Sequence, residues 1–209
     1  ELIKVSTTHQ EANGAISERV AISISQSQLD ILGAPRHKVE KMNLTVEVPV
    51  SGQFTSSSIV AFQIYERDLS LVRSGLKFRG RSSIGGSDEL VGTISSVDSI
   101  IDPTSRTVRV LGAFAKIPVG TRAEVSFRGV IETELKDRIV IPEESVLHTG
   151  AADLVYIFDN ANKLTPQQVK LGSKASGYYE VLEGLAEGTE IAAGPNFLID
   201  SEAKIRGTK

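Results

Sequence analysis

Two hydrophobic rhythms divide this chain. Over residues 1–41 the apolar positions recur at helical spacing: Ile16, Val20 and Ile24 form one row, and Leu29, Ile31 and Leu32 extend it until Gly33-Ala34-Pro35 interrupts the pattern. Asn13-Gly14 places a turn signal within the stretch, so the pattern predicts a short α-helical hairpin over 1–41. The Ser-rich, β-branched run from Ala21 to Ser27 opposes it through poor helix propensity.

After Met42 the rhythm shortens to a period of two. Strands are predicted over 44–50, 59–65, 76–78, 90–97, 107–115, 123–131, 138–141, 153–158, 167–171, 178–182 and 190–193. Ser51-Gly52, Gly85-Gly86, Asp102-Pro103 and Pro118-Val119-Gly120 punctuate them as turns. Residues 66–75 are the exception: Glu66 to Val72 followed by Gly75 reads as one or two helical turns with a glycine stop. Strands at this spacing predict a small barrel or sandwich over 58–135 and a second compact β module over 136–209, with a short helical tail at 196–203. The fold class is therefore mainly β with a short α-helical hairpin. No fixed-period repeat is present, which excludes solenoids and propellers.

Composition narrows the function. Of 209 residues, 40% are hydrophobic and only 5% aromatic, which suits several thin, aliphatic-filled modules better than one thick core. The net charge of -3 offers none of the basic footprint of a nucleic-acid binder. Without Cys there is neither a disulfide framework nor thiolate chemistry. No run approaches the roughly 18 apolar residues that span a bilayer, and the opening Glu1-Leu2-Ile3-Lys4-Val5 lacks the shape of a signal peptide. The missing initiator Met reads as processing or truncation.

No constellation of reactive residues converges. His9, His37 and His148 lie far apart, without the close spacing of a helical or hairpin zinc or copper site, and read as surface histidines. Met42 is the only methionine, too few for a thioether site for a soft monovalent metal. Ser145 lacks a nucleophile elbow and reads as a turn or helix-start serine. Glu143-Glu144 point in different directions as neighbours and form no acid-base pair alone. Gly85-Gly86 and the glycines at 184 and 188 lack a phosphate-loop pattern. In the run from Asp102 to Thr107, Asp-Pro starts a turn, Thr and Ser bond their own backbone, and Arg106 caps or pairs locally. These readings leave catalytic residues, bound cofactors and metal ligands without candidates.

The segment from Gly184-Leu185-Ala186-Glu187-Gly188 through Phe197-Leu198-Ile199-Asp200-Ser201-Glu202-Ala203 resembles the ending of periplasmic adaptor proteins, also called membrane fusion proteins, of the HlyD-like kind. The similar members serve heavy-metal pumps of the resistance-nodulation-division (RND) class. Further similarities follow in the family's order: Tyr65-Glu66-Arg67-Asp68-Leu69 with Gly75, Gly92-Thr93-Ile94 with Ile101 to Thr107, and Ile141-Pro142-Glu143-Glu144-Ser145-Val146 with Gly150. Glu1-Leu2-Ile3 and Gln28 to Gly33 resemble the opening and close of the family's short hairpin. Two departures stand out. Most of the family's lipoyl-like domain is missing around Pro49 to Gly52, and Thr121 stands where Met is common.

The resemblance implies an elongated multi-domain adaptor: hairpin at 1–41, a remnant of a lipoyl-like domain at 42–57, a β-barrel at 58–135 and a membrane-proximal β domain at 136–209. It implies no enzyme activity and no cofactor, only a metal ion passing as cargo. Expected partners are an inner-membrane RND transporter, an outer-membrane channel and further copies in a ring, a hexamer, in the periplasm beside the inner membrane. The residues expected to contact partners are Arg67, Asp68 and Arg73 on the barrel's short helix, and Ser17, Glu18 and Arg19 near the hairpin turn. Two other functions compete: an adaptor for a multidrug or ABC-type exporter, and a stand-alone periplasmic module holding a metal or glycan.

Overall fold

The computed structural model describes residues 22–23, 35–84, 88–116, 121–159, 163–194 and 199–201. Its strands are β1 (Ile22–Ser23), β2 (Arg36–Lys38), β3 (Glu40–Phe54), β4 (Ile59–Tyr65), β5 (Lys77–Ser82), β6 (Leu90–Asp102) and β7 (Thr107–Ala113). They continue as β8 (Ser126–Pro142), β9 (Leu147–His148), β10 (Asp153–Phe158), β11 (Lys163–Ala175), β12 (Tyr178–Glu183) and β13 (Glu190–Ala192). Two 3-10 helices occupy Glu66–Leu71 and Glu143–Ser145. The chain divides into two units, one made of residues 1–44 and 136–209, the other of 45–135.

The unit of 45–135 is a closed barrel. Its strands follow the order β8-β3-β4-β7-β6-β5, and β5 pairs again with β8, so no edge is left open. Alternation explains the closure. Along β4 the burial pattern sends Val60, Phe62 and Ile64 inward and Ile59, Gln63 and Tyr65 outward. Val48, Val50 and Phe54 of β3, Phe78 of β5, Ile94 of β6, Val110 of β7 and Phe127 and Ile131 of β8 complete the interior. The helix at Glu66–Leu71 falls where the sequence predicts it, and Leu71 and Val72 pack against the same core.

Two expectations change here. Ser51-Gly52 is not a turn: β3 runs through to Phe54, because a side chain at Gly52 would place its Cβ 2.0 Å from the carbonyl oxygen of Ala61 on β4. Glycine marks a close approach of two strands. Residues 42–57, expected as a remnant of a lipoyl-like domain, lie largely within that same strand, and Val48, Val50 and Phe54 belong to the barrel core. Their inward alternation with the barrel strands is what places them there.

The turn at 102–107 forms as the sequence predicts. Asp102 Oδ1 accepts from the amides of Thr104 at 2.8 Å and Ser105 at 3.2 Å, and Arg106 turns the chain at a φ of 53°. Asp102→Ala removes both acceptors at an exposed site where water compensates in part. A loss of about 1 kcal/mol is expected, read as a lower denaturant midpoint of the barrel with an unchanged slope.

In the other unit the antiparallel order is β2-β13-β10-β11-β12-β8, with β1 on β11 and β9 on β10. Val39, Ile141, Val155, Val169, Val181 and Ile191 form one buried cluster, and Tyr156, Leu164, Ala192 and Ile199 another. The expected hairpin differs wherever it is described. Ile22–Ser23 pairs with Leu164 and Lys163, and Arg36–Lys38 pairs with Ala192 to Glu190. Residues 1–21 and 24–34 lie outside the described residues. The strand at 36–38 forms because β13 presents an open edge. Val39 N–H donates to Thr189 O and Gly188 N–H to Val39 O, both at 2.8 Å. Of the helical tail expected at 196–203, residues 199–201 are helical and the rest lie outside the described residues.

Candidate interaction surface

Three of the six residues expected to meet partners, Arg67, Asp68 and Arg73, lie in or just after the barrel's 3-10 helix. β4 passes from Tyr65 straight into the 3-10 helix, which puts Glu66, Arg67 and Asp68 beside the turn joining β6 and β7. Glu66 N–H donates to Arg106 O at 3.1 Å, and the Arg106 guanidinium pairs with the Glu66 carboxylate, tying turn to helix. Arg67 stays 80% exposed, its guanidinium 5.4 Å from the Tyr65 ring centre and its Nε 3.4 Å from Asp68 Oδ2. Arg73 follows the helix on the exposed side. Ser17, Glu18 and Arg19 lie outside the described residues.

An apolar feature beside them escapes the sequence reading. Val97 pairs with Val110 and Ile101 with Val108, so four steps along β6 face two along β7. The surplus bulges out and leaves Ile100 81% exposed, with Ile101 and Tyr65 exposed nearby in register. The doublet Ile100-Ile101 is the available signal: two adjacent apolar residues in a period-two strand cannot both face inward. Exposed apolar groups bordered by Arg67, Asp68 and the Glu66–Arg106 pair have the chemistry of a protein contact.

A second cluster on the barrel satisfies itself. Arg79 donates from Nε to Glu132 at 2.6 Å, from Nη1 to Glu89 at 3.0 Å and from Nη2 to Glu47 at 2.7 Å. The hydrogen bond to Glu132, then those of its neighbours, holds the guanidinium above its ordinary range. The space among three carboxylates is filled by a cation belonging to the chain. Among the described residues no group of three or more His, Asp or Glu side chains is placed to hold a metal ion.

In the other unit the notable side chains of the sequence take structural roles. Ser145 is buried in the 3-10 turn, Glu143 pairs with Lys174, whose ammonium is held above its usual range by that hydrogen bond, and Glu144 is exposed. His148 Nδ1 lies 2.6 Å from Asp153 Oδ1 across the β9–β10 pair and edge-on to Tyr179. His37 lies on β2 opposite Ile191, and His9 lies outside the described residues. Asp200 is 4% exposed and accepts from the fully buried Tyr156 hydroxyl at 3.0 Å, which docks the tail onto β10.

Residues 139–200 match the family model of the CzcB C-terminal circularly permuted SH3-like domain. The matched span runs from the end of β8 to Asp200, while β2, which completes that unit's sheet, lies outside it. Among curated proteins, the chain is 29% identical over 112 residues to SilB of Salmonella typhimurium, described as a membrane fusion protein; this covers 51% of the chain and 25% of SilB. It is 31% identical over 77 residues to the cation efflux system protein CusB of Escherichia coli K12, covering 37% of the chain and 19% of CusB. Both matches thus span a quarter or less of the relative's length. Among solved structures, ZneB of Cupriavidus metallidurans aligns with a TM-score of 0.49 and 21% identity, over 67% of the chain and 41% of ZneB. The chain is thus similar, over part of its length, to a membrane fusion protein and to a cation efflux system protein.

Proposed function

We propose that this chain is the barrel and membrane-proximal part of a periplasmic adaptor in a tripartite heavy-metal efflux pump. It links an inner-membrane RND transporter to an outer-membrane channel as a member of a ring, and it catalyses no reaction. The observation that carries this reading is the match of residues 139–200 to the CzcB C-terminal domain family, together with the similarity to SilB and CusB. The side chains support it. The conspicuous polar residues tie strands, turns and tail together, as a scaffold requires, and the exposed surface at Tyr65, Arg67, Arg73 and Ile100, beside the half-buried Asp68, suits contact with a protein. A glycan platform is less well served, because Phe54, Phe62, Phe78, Phe114 and Phe127 are consumed in the barrel core. Metal ions pass as cargo of the assembled pump.

A strain lacking the gene tests this. Hypersensitivity to one group among copper, silver, zinc, cobalt and cadmium salts is expected, with restoration by the intact gene. Restoration by a version carrying Arg67→Glu and Arg73→Glu is expected to be at least several-fold weaker at equal protein level. Sensitivity to drugs and detergents alone would move the protein to multidrug export, and no phenotype would sink the efflux reading.

A further inference from the structure

The outer face of the barrel carries a second polar feature, which at Gln63 and Arg109 adjoins the Tyr65–Thr107 pair. An open groove of about 640 Å³ crosses four adjacent strands and is lined in part by Ser51 and Gln53 of β3, Gln63 of β4, Arg109 of β7, and Ser126 and Arg128 of β8. Small residues hollow it out: Gly52 and Ala61 leave its floor without bulk. Gln63 and Arg109 are directly opposite in register, and Gln63 Oε1 accepts from Thr107 Oγ1 at 3.0 Å, which fixes the amide. Past the groove's edge, Arg128 faces Arg81 of β5 as a direct cross-strand pair.

That pairing is costly, since like charges directly opposite on adjacent strands repel. Two residues away on β5, Arg79 is ringed by three carboxylates. Arg81, Arg109 and Arg128 are exposed and form no ion pair or hydrogen bond with the described residues, and only Glu124 brings a negative charge to the groove wall. On a chain with a net charge of -3, three uncompensated guanidinium groups are concentrated on one face.

We infer that this groove binds an acidic, extended segment of a partner protein. Guanidinium groups match carboxylates in a planar, two-bond geometry. The Gln53 and Gln63 amides and the Ser51 and Ser126 hydroxyls bond peptide N–H and C=O groups, which a purely ionic patch would not need. The recess favours a peptide over a bilayer, because a flat lipid surface reaches protruding cations better than those in a channel. The inference rests on the barrel's charges alone and stands whether or not the chain serves efflux.

The test uses the full 209-residue chain and a fluorescein-labelled peptide of alternating Glu and Ala, followed by anisotropy in 50 mM salt. Saturable binding is expected, weakened at least tenfold by the double change Arg109→Gln with Arg128→Gln and by 300 mM salt. The pair Lys163→Gln with Lys170→Gln, which removes equal charge elsewhere, is expected to change it less than twofold. Without peptide, Arg128→Gln is expected to melt at or above the parent temperature, since it relieves repulsion from Arg81; this also reports folding. The inference is overturned if the Glu-Ala peptide does not bind, if the two arginine changes leave binding intact, or if a Gln-Ala peptide binds as well. It also falls if phosphatidylglycerol vesicles bind equally well through the same arginines, which would make the face a general anion surface.

Discussion

Replacing Phe78 by alanine is expected to lower the stability of the barrel unit by about 3–5 kcal/mol, the usual cost of truncating a fully buried aromatic. Phe78 is wholly inaccessible to solvent and stands at the centre of an aromatic cluster. Its ring centre lies 5.1 Å from those of Phe62 and Phe114 and 5.7 Å from that of Phe127, and all three contacts are edge-on. Such pairs add to the area term because the positive edge of one ring meets the negative face of another. A closed barrel cannot collapse easily around the gap, since each strand is held on both sides. The loss should therefore fall near the upper end of the range. Denaturant unfolding followed by tyrosine fluorescence and far-ultraviolet circular dichroism measures it; a change under 1 kcal/mol would mean that the cluster is not the centre of the core.

The same ring explains two glycines. A Cβ on Gly92 would lie 2.3 Å from Phe78 Cζ, and one on Gly112 would lie 2.5 Å from Phe78 Cε1. Phe78 thus rests on the bare backbone of β6 and β7. A methyl group at Gly92 collides with the ring only while the ring is present, whereas its 2.8 Å approach to the carbonyl oxygen of Ala113 remains in either background. Gly92→Ala should be strongly destabilising in the parent and less so beside Phe78→Ala, so the two changes are non-additive.

Much of this architecture can be read from local pattern, for a physical reason. Strands 59–65 and 153–158 and the short helix after Tyr65 match the structure because alternation and the break at Glu66 are encoded within a few residues. The Asp102 turn is legible because its hydrogen bonds close over two or three residues. What depends on distant partners is not legible. β2 falls within the stretch whose pattern predicts a helical hairpin, and it is a strand because the edge of β13, more than 150 residues later, accepts it. Gly52 reads as a turn until Ala61 of the neighbouring strand is seen against it. Predicted strands 123–131 and 138–141 merge into β8 because both sides of that long strand find partners.

The candidate surface divides in the same way. Arg67, Asp68 and Arg73 are reachable through motif resemblance; Arg67 and Arg73 are exposed, and Asp68 is half-buried. The bulge that expels Ile100 depends on how β6 registers against β7. The contrast between Arg79 and Arg81 needs strands β3, β5 and β8 side by side before one arginine is satisfied and the other is not. A linear sequence gives the charges but not their pairing.

The tail motif supplies the second large effect. Phe197 to Ala203 carries the strongest family resemblance, and Asp200 shows what a residue in it does: with its carboxylate buried, it accepts from the hydroxyl of Tyr156, itself the largest fully buried side chain. Tyr156→Phe keeps the ring and deletes only the donor, leaving the buried carboxylate one bond short. The expected cost is about 1–3 kcal/mol, above that of a surface hydrogen bond because the acceptor that loses its donor is shielded from water. Asp200→Ala takes an acceptor from the tyrosine hydroxyl and also removes the carboxylate's other contacts, so it should cost at least as much. Replacing both residues together, with Phe at 156 and Leu at 200, leaves neither partner stranded and should cost less than the sum of the single changes. If the single changes instead add, the motif is held by the apolar packing of Ile199 on Leu164 and Ala192, and the Tyr156–Asp200 bond is incidental to docking the tail.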